Sequence, residues 1–240
     1  MKSFIGELVD FVYPPVCFVC RTPLDCSSQW GLCCTCLHHI TYIETPFCMQ
    51  CGKPYAHDEQ FAHLCGECLT GRKHYRRARA IGYYRGVLRE ALHLFKYQLK
   101  QCLAVPLGAL MTGRLSALSQ DWLYQLIMPV PLHPRRLRAR GFNQAVSLAS
   151  SVSKHLKIPL DRTNLRRIRW THSQVGLTER ERADNVKHAF LLRTPEAVER
   201  KAILLIDDMY TSGSTVNECS KVLINAGARH VDVLTLARVS

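Results

Sequence analysis

The sequence predicts an α/β fold, a parallel sheet with flanking helices, preceded by a small cysteine-rich domain. Short aliphatic runs followed by loops and by segments of helical period predict the α/β part, and they lie beyond residue 75. Ten of the twelve cysteines lie before residue 69 and predict the separate small domain. A chain of 240 residues that is 47% hydrophobic is long enough to bury such a core.

The charge changes at the same place along the chain. Residues 1–70 hold three lysines or arginines and seven acidic residues, whereas residues 71–240 hold 29 basic and 12 acidic ones. We therefore place the boundary near residue 75 and predict two domains, 1–75 and 76–240. A basic domain favours phosphate-rich partners such as nucleotides, pyrophosphate or nucleic acid. The alternative is a well-solvated basic surface without a partner.

Neither a membrane span nor a secretory signal is predicted. No stretch approaches the roughly 18 uninterrupted apolar residues that a membrane helix needs. The N-terminal run MKSFIGELVDFVYPP contains two acids, Glu7 and Asp10, and lacks a small-residue cleavage site. We expect a cytoplasmic protein.

Eight cysteines of the first domain form four pairs, each with two residues between its partners. Such a pair on a tight turn directs two thiolates at one tetrahedral ion, and two pairs complete a four-cysteine zinc site. The second pair follows the first after 12 residues and the fourth follows the third after 13, which indicates two ribbons in series. The predicted ligands, for one or two structural zinc ions, are Cys17, Cys20, Cys33, Cys36, Cys48, Cys51, Cys65 and Cys68.

Other arrangements of these cysteines are weaker but open. A disulfide framework is disfavoured because cytoplasmic thiols are kept reduced, and sequential pairing of the ribbons is favoured over interleaved pairing. Cys26 and Cys34 are spare, and Cys34 would replace Cys33 if the turn were irregular. The domain is acidic before any zinc thiolates are counted, so we expect it to support the fold or contact a protein rather than to bind DNA.

The stretch AILLIDDMYTSGSTVNECSKVLINAG, residues 202–227, predicts a strand, a loop and a helix. AILLI is typical of a buried parallel strand, the helical period that follows ends near Gly227, and HVDVLTLARV predicts the next strand. In a sheet of this kind, the loop after a strand faces the ligand crevice. The backbone amides and hydroxyls of this loop favour a phosphate ligand. The loop residues are Thr211, Ser212, Gly213, Ser214 and Thr215.

The two acids before this loop favour a ligand that is more than a phosphate. Carboxylates repel phosphate, so Asp207 and Asp208 are explained only if the same ligand presents a diol or brings a metal. A ribose 5-phosphate does so: the acids accept from the 2- and 3-hydroxyls while residues 211–215 hold the 5-phosphate. ILLIDDMYTSGST resembles the signature loop of type I phosphoribosyltransferases, with Tyr210 where a small or branched apolar residue is usual. That resemblance implies a parallel sheet flanked by helices under a small hood.

IMPVPLHPRRLRARGFNQA, residues 127–145, predicts a second part of the site. Its prolines indicate a strand end, and four arginines then precede a helix that starts near Gly141. Planar guanidinium groups beside a helix N-terminus suit pyrophosphate, and the candidates are Arg135, Arg136, Arg138 and Arg140. The alternatives are a solvated basic turn or a nucleic-acid patch.

Two further segments are candidates for contact with the ligand. Residues 166–190 have no clean period and are strongly charged, so they predict either a mobile loop that closes on the site, with Gln174, Arg180 and Arg182, or an exposed charged loop with a helix. Residues 87–100 predict an amphipathic helix from which Lys96 and Lys100 would reach the site.

Taken together, these motifs resemble the ComF family of competence and DNA-utilization proteins. Tandem cysteine pairs, FKYQLK, PVPLHPRRLRARGFNQA, THSQVGLTERERADNV and IDDMYTSGST follow each other in the family's order, from residue 14 to residue 238. The resemblance implies a phosphoribosyltransferase-like domain behind a zinc ribbon and a role in handling imported DNA. It also implies single-stranded DNA and helicase-type or competence proteins as partners.

Two functions are compatible with these features. In the first, the chain is a phosphoribosyltransferase that binds phosphoribosyl pyrophosphate with Mg²⁺, and its arginines stabilise the departing pyrophosphate. The acceptor is not identified, and no residue is an evident general base, so catalytic residues are unknown. In the second, the fold serves recognition of single-stranded DNA, with Trp170, Phe142 or Tyr84 stacking on bases.

Overall fold

The structure, a computed structural model, describes residues 16–24, 31–55, 61–97, 101–118, 123–171 and 178–239. The N-terminal run, Cys26, Lys100 and Gln174, all singled out above, lie outside these residues. Within the described ranges, no helix combines the length and the apolar character that crossing a membrane requires.

The second domain is built on a four-stranded parallel sheet. Its strands are β1 (Arg77–Tyr83), β2 (Leu126–Pro129), β5 (Ala202–Tyr210) and β6 (His230–Arg238), and their order across the sheet is β1-β6-β5-β2. Residues 202–206 of β5 are all buried, which follows from its central position between two strands. The predicted parallel sheet is confirmed, and β5 and β6 match the two strands predicted there.

Helices cover both faces of this sheet, as the α/β class requires. One face packs against α3 (Gly86–Tyr97), α4 (Ala104–Leu118) and α6 (Gln144–Leu156), and Leu204 and Ile206 of β5 belong to that core. The other face packs against α8 (Ser214–Asn225), and Ile203 and Leu205 belong to that core. Alternate residues of one buried strand therefore supply two separate cores.

A small antiparallel hairpin stands beside the sheet. It consists of β3 (Leu165–Arg167) and β4 (Phe190–Leu192), with α7 (Glu179–Val186) between them. Helix α7 starts with a capping box in which Thr178 and Glu181 bond each other's backbone N–H groups. Residues 166–190 were predicted to form either a mobile loop or an exposed charged loop with a helix. Where the structure describes them, they include the ends of two strands and the helix α7.

The cysteine-rich segment packs against the free edge of β1. It contains two short helices, α1 (Cys34–His38) and α2 (Gly66–Thr70). The Tyr83 N–H donates to Thr41 O at 2.9 Å, the Ile43 N–H to Ile81 O at 3.1 Å, and the Ala78 N–H to Gln50 O at 2.6 Å. The segment therefore satisfies backbone groups that an edge strand would otherwise expose.

Candidate ligand cavity and two four-cysteine centres

The structure gathers the eight paired cysteines into two sets of four. Within each set all four sulfur atoms lie within 4.8 Å of one another, and the sets follow sequential pairing: Cys17, Cys20, Cys33 and Cys36 in one, Cys48, Cys51, Cys65 and Cys68 in the other. A tetrahedron of Zn–S bonds of about 2.3 Å has edges of about 3.8 Å. The observed Sγ–Sγ distances are 3.7 Å for Cys17–Cys36 and 3.7 Å for Cys51–Cys65, so both sets fit structural zinc.

Backbone amides help one thiol of each set to ionise. Burial opposes ionisation of Cys48, but the amides of Cys65 and Cys51 lower the pKa of its thiol to about 6. Contacts with the Thr22 side chain and backbone lower the pKa of Cys20 to about 6. Thiolates are the form that binds zinc, so the local backbone prepares these residues as ligands. Cys34 is exposed and stays outside both sets, so Cys33 is not replaced.

A cavity of about 340 Å³ opens at the carboxyl ends of β2 and β5. This is where parallel α/β sheets place their ligands. Its charged lining consists of four cations and two acids: Lys96, Arg136, Arg140, Arg167, Asp207 and Asp208. The excess of cations suits an anionic ligand, while the acids suit hydroxyl groups or a metal ion.

The acidic pair lies where β5 ends and is partly neutralised by a lysine. Lys96 Nζ lies 2.5 Å from Asp208 Oδ2, and the Asp208 N–H donates to Asp207 Oδ1 at 2.9 Å. Burial alone would lower the pKa of Lys96, but the Asp208 carboxylate raises it above its ordinary value. Burial, and then the neighbouring Asp208, raise the pKa of Asp207 well above its ordinary value. The ionised form of Asp207 is therefore stabilised by a partner that donates a hydrogen bond or carries positive charge.

The predicted phosphate loop forms the turn between β5 and α8. Thr211, Gly213 and Thr215 line the cavity, and the hydroxyls of Ser212 and Ser214 bond each other at 2.8 Å. Gly213 has a φ of +77°, and a Cβ on it would lie 2.2 Å from the hydroxyl oxygen of Tyr210. A glycine is therefore required both by the backbone conformation and by the tyrosine ring beneath the turn.

The tyrosine that departs from the usual loop pattern is part of this support. Tyr210 is buried, its hydroxyl lies 2.7 Å from that of Tyr75, and the Arg238 guanidinium stacks on its ring at 4.4 Å. Neither partner was foreseen, because both are far from Tyr210 in sequence. The larger side chain fills the space under the loop and links it to Tyr75, at the end of the cysteine-rich segment.

The four predicted arginines lie on a helix, which the sequence analysis missed. Helix α5 (Pro134–Arg140) begins with Pro134 and is closed by Gly141 at a φ of +79°, a proline-first and glycine-last pattern that could have revealed it. The arginines divide into two pairs. Arg136 and Arg140 line the cavity, whereas Arg135 and Arg138 do not.

One cavity residue was missed altogether. Arg167 of β3 is 6% exposed, and its guanidinium donates to the Thr171 hydroxyl. Burial, and then the nearby Arg136, lower the pKa of Arg167. In β3, Leu165 and Arg167 are buried and Arg166 between them is exposed, so Arg167 faces inward. The sequence itself, Leu-Arg-Arg, holds no signal that distinguishes Arg167 from Arg166.

Other predicted residues have different positions. Arg180 and Arg182 both lie on α7, and the Arg182 side chain is outside the lining of the cavity. Phe142 is buried and packs on Phe95 at 5.5 Å, so the expectation that it stacks on bases is wrong. Trp170 is 40% exposed, and Arg136 lies over its ring at 5.3 Å.

Comparison with known proteins gives a family model and several relatives. A model described as a double zinc ribbon domain matches residues 8–69. The chain is 34% identical to the DNA utilization protein YhgH of Escherichia coli over 94% of this chain and 97% of that protein. It is 32% identical to competence protein F of Haemophilus influenzae, over 92% and 96%, and 26% identical to competence protein ComFC of Bacillus subtilis, over 95% and 96%.

Solved structures resemble only part of the chain. An allosteric regulatory enzyme of purine biosynthesis matches with a TM-score of 0.38 and 19% identity over 55% of this chain and 26% of that one. HGPRT-ase from Leishmania tarentolae in complex with GMP matches with a TM-score of 0.34 and 13% identity, over 57% and 68%. The full-length relatives decide the family: this chain belongs to the ComF family, which includes the DNA utilization protein YhgH and competence protein F.

Proposed function

We propose that this chain binds phosphoribosyl pyrophosphate together with Mg²⁺ and acts in the uptake or utilization of DNA. One observation carries the ligand proposal: the acidic pair, three residues of the 211–215 turn and four basic side chains line a single cavity. The DNA role rests on the names of the relatives, which are a DNA utilization protein and competence proteins. Transfer of the phosphoribosyl group is the reaction that such a site would serve.

Each part of the ligand has a matching part of the cavity. The turn of residues 211–215 would hold the 5-phosphate through backbone amides and hydroxyls at the start of α8. Asp207 and Asp208 would accept from the ribose hydroxyls, and the raised pKa of Asp207 indicates an acid that such a donor would stabilise. Arg136 and Arg140, which line the same cavity, would hold the pyrophosphate and stabilise charge that develops as it leaves.

The donor set of this cavity also suits a hard metal ion. Carboxylate oxygens and phosphates are the ligands that Mg²⁺ accepts, usually with several waters retained. Asp207 and Asp208 would hold Mg²⁺ that arrives with the ligand, and the ion would neutralise charge on the pyrophosphate. Without Mg²⁺, Lys96 neutralises the charge of Asp208, because its ammonium lies 2.5 Å from the carboxylate.

Calorimetric titration of zinc-loaded protein with phosphoribosyl pyrophosphate, with and without Mg²⁺, tests this proposal. We expect saturable, Mg²⁺-dependent binding that falls at least tenfold when Asp207→Asn and Asp208→Asn are combined. The amide variants keep the shape of the side chains, remove their negative charge and replace one acceptor oxygen of each by an NH₂ donor. Glu196→Gln, at an exposed acid on the surface, is the matched control and should bind as the wild type does. No binding by folded wild-type protein would refute the proposal.

A second candidate function is recognition of single-stranded DNA, and the surface of α5 favours it. Arg135 is exposed beside Trp170, with its guanidinium 5.9 Å from the ring. Arg138 lines an open cavity with Tyr97, which is 65% exposed, and this cavity adjoins the first. Arginines interleaved with accessible aromatic rings are the combination that binds phosphates and stacks on unpaired bases.

The division of the arginines makes the two functions separable. Arg135→Gln with Arg138→Gln should weaken binding of a single-stranded oligonucleotide and reduce its salt slope by about 0.7 per lost phosphate contact. The same variant should leave phosphoribosyl pyrophosphate binding unchanged, since neither residue lines that cavity. Arg193→Gln, at an exposed arginine after β4, controls for the loss of general charge. An unchanged salt slope would remove α5 from the DNA hypothesis.

A protein partner at the cysteine-rich domain is a further part of the proposal. Apolar side chains are exposed there, with exposed fractions of 79% for Phe61 and 69% for Leu69, and exposed apolar surface favours protein contacts. We expect Phe61→Ser with Leu69→Ser to abolish binding to a purified single-stranded-DNA helicase of the same cell. If the double variant still binds the helicase, the helicase contacts a different surface of this chain.

A further inference from the structure

A second cavity of about 400 Å³ adjoins the first and differs from it in character. The two share three lining residues: Pro131, Leu132 and Arg167. Half of the other lining residues are apolar, among them Leu137 of α5, Val146 of α6 and Leu165 of β3. Two further arginines, Arg162 and Arg166, also line this cavity, but both are exposed to solvent, whereas Arg167 is buried. A ligand in the first cavity and one in the second would therefore be neighbours, separated by the shared wall.

The shared wall contains a buried cation, Arg167, that has no anionic partner among the described residues. Arg167 is 6% exposed, and its Nη2 donates to the Thr171 hydroxyl. Among the residues that the structure describes, no carboxylate lies within ion-pair distance of Arg167, and its Nε has no acceptor. A buried guanidinium without a counter-charge is unfavourable, because it has lost water without gaining an anion.

The neighbourhood of Arg167 increases this imbalance. Burial and the nearby Arg136 both lower the pKa of Arg167, whereas Asp207 acts in the opposite direction more weakly. Its contacts on the protein side are a hydroxyl and the Phe190 ring, which lies 5.3 Å from the guanidinium carbon. Neither supplies the charge that a bound anion would.

We propose that Arg167 binds the anionic group of a second small ligand whose apolar body occupies the cavity lined by Leu137, Val146 and Leu165. The ligand class is a compact apolar molecule with one carboxylate or phosphate group. This builds on the proposed function, since the molecule would lie beside the phosphoribosyl ligand, where an acceptor must be placed. Arg167 would orient it through a bidentate pair, a geometry that guanidinium and carboxylate or phosphate share.

Three probes of similar size test the site: benzoate, phenyl phosphate and neutral benzamide. Their dissociation constants are measured by ligand-observed NMR on the full zinc-loaded chain, with and without phosphoribosyl pyrophosphate and Mg²⁺. We expect at least one anionic probe to bind tenfold or more tightly than benzamide. Arg167→Gln should remove that preference, while Arg193→Gln, outside both cavities, should keep it. The stronger of benzoate and phenyl phosphate identifies the anion that the site prefers.

A second variant covers the case in which Arg167→Gln does not fold. Leu137 is 41% exposed and lines the second cavity but not the first, so Leu137→Glu adds a like charge where only the second ligand is affected. Binding of the anionic probe should fall several-fold, with phosphoribosyl pyrophosphate binding unchanged.

The possible outcomes separate this site from the first. Equal binding of charged and neutral probes, or a preference that survives Arg167→Gln, would overturn the proposal. A tenfold loss of phosphoribosyl pyrophosphate affinity in Arg167→Gln, with benzoate binding intact, would assign Arg167 to the first ligand and also overturn it. If the wild type binds the anionic probe through Arg167 but not phosphoribosyl pyrophosphate, the proposed function fails and the anion site stands.

Discussion

The two four-cysteine centres share a motif but lie against opposite faces of the same sheet. Cys17 and Cys36 belong to the core under α3, α4 and α6, whereas the four cysteines of the second centre belong to the core under α8. The first centre is also more open, since Cys20 is exposed and Cys33 partly so. In the second centre no cysteine is more than 8% exposed.

The second centre is connected to the ligand cavity by a short chain of contacts. Arg238 donates from Nη1 to the carbonyl oxygen of Cys51 at 2.8 Å and lies 4.4 Å from the ring of Tyr210. Tyr210 in turn packs under Gly213 in the phosphate turn. The same ribbon motif therefore has two tasks: the first centre closes a core, and the second also supports the binding loop.

Removing the centres one at a time should show the largest difference. Cys48→Ser with Cys51→Ser and Cys17→Ser with Cys20→Ser should each lose one zinc ion per chain and several kcal/mol of stability, because metal binding contributes to folding. We expect phosphoribosyl pyrophosphate affinity to fall tenfold or more when the second centre is removed through Cys48 and Cys51. Removal of the first centre through Cys17 and Cys20 should lower it less than threefold. Zinc content, thermal unfolding and calorimetric titration below the unfolding transition measure these three quantities.

An equal loss of phosphoribosyl pyrophosphate affinity in both variants would contradict the conclusion that the second centre alone supports the binding loop. It would mean that the ligand cavity depends on the general stability of the cysteine-rich segment rather than on the contacts through Arg238 and Tyr210. A folded wild-type chain without any bound zinc would contradict the structural role of both centres.

Features that depend on local sequence were predicted well. The cysteine spacing and the aliphatic run before Asp207 each involve fewer than about twenty residues, and in both cases the structure has the expected element. Strand, turn and helix between residues 202 and 227 follow from period and glycine placement alone. The sequential sets of cysteines follow from their near-equal spacing.

Features that depend on distant residues were not predicted. Tyr75 and Tyr210 are 135 residues apart, and Arg167 reaches the cavity only because the β3–β4 hairpin stands beside the sheet. Lys96 was one of two lysines proposed to reach the site, and only the fold shows that it pairs with Asp208. Tertiary packing decides such contacts, and neither period nor propensity reports it.

Substitution of two glycines with similar backbone conformations, one beside each centre, should destabilise the protein by different amounts. These effects should be smaller than those of removing a centre. Gly52 (φ +70°) and Gly31 (φ +74°) both have left-handed conformations, which cost other residues about 1–2 kcal/mol. A Cβ on Gly52 would lie 2.5 Å from the carbonyl oxygen of Ala78 in β1, whereas on Gly31 it would meet the ring of Phe18 at 2.4 Å. The backbone of a sheet strand yields less than a partly exposed side chain.

We therefore expect Gly52→Ala to destabilise the protein by about 3 kcal/mol and Gly31→Ala by about 1–2 kcal/mol, both within the range known for strained backbones. Chemical denaturation of the zinc-loaded variants measures both values. Gly66→Ala is the control, because no atom lies within 4 Å of the added Cβ and its φ is not in the left-handed region. A larger effect at Gly31 would show that the first centre is the more rigidly held.

The smallest effect concerns an ion pair on the surface of the second centre. Lys53 Nζ lies 2.6 Å from Glu67 Oε1, with half of the lysine side chain and 43% of the glutamate exposed. Exposed pairs contribute about 0.2–1 kcal/mol, so Glu67→Gln should cost about 0.5 kcal/mol at pH 7 and almost nothing in 1 M salt. Glu44→Gln, at a glutamate that is 73% exposed and 3.3 Å from Arg114, is the control.

The pH dependence of that pair gives the sharper test. Hydrogen bonding to Lys53 lowers the pKa of Glu67, so its stabilisation is complete above the unfolded-state value of about 4.3 and is lost as the pH falls through the lower folded-state value. The stability difference between wild type and Glu67→Gln should therefore stay constant from pH 8 to about pH 5 and shrink only below that. Denaturation curves across this range measure it, and zinc loss in acid cancels because both proteins share it. A difference that grows as the pH falls would show that Glu67 is held by something other than Lys53.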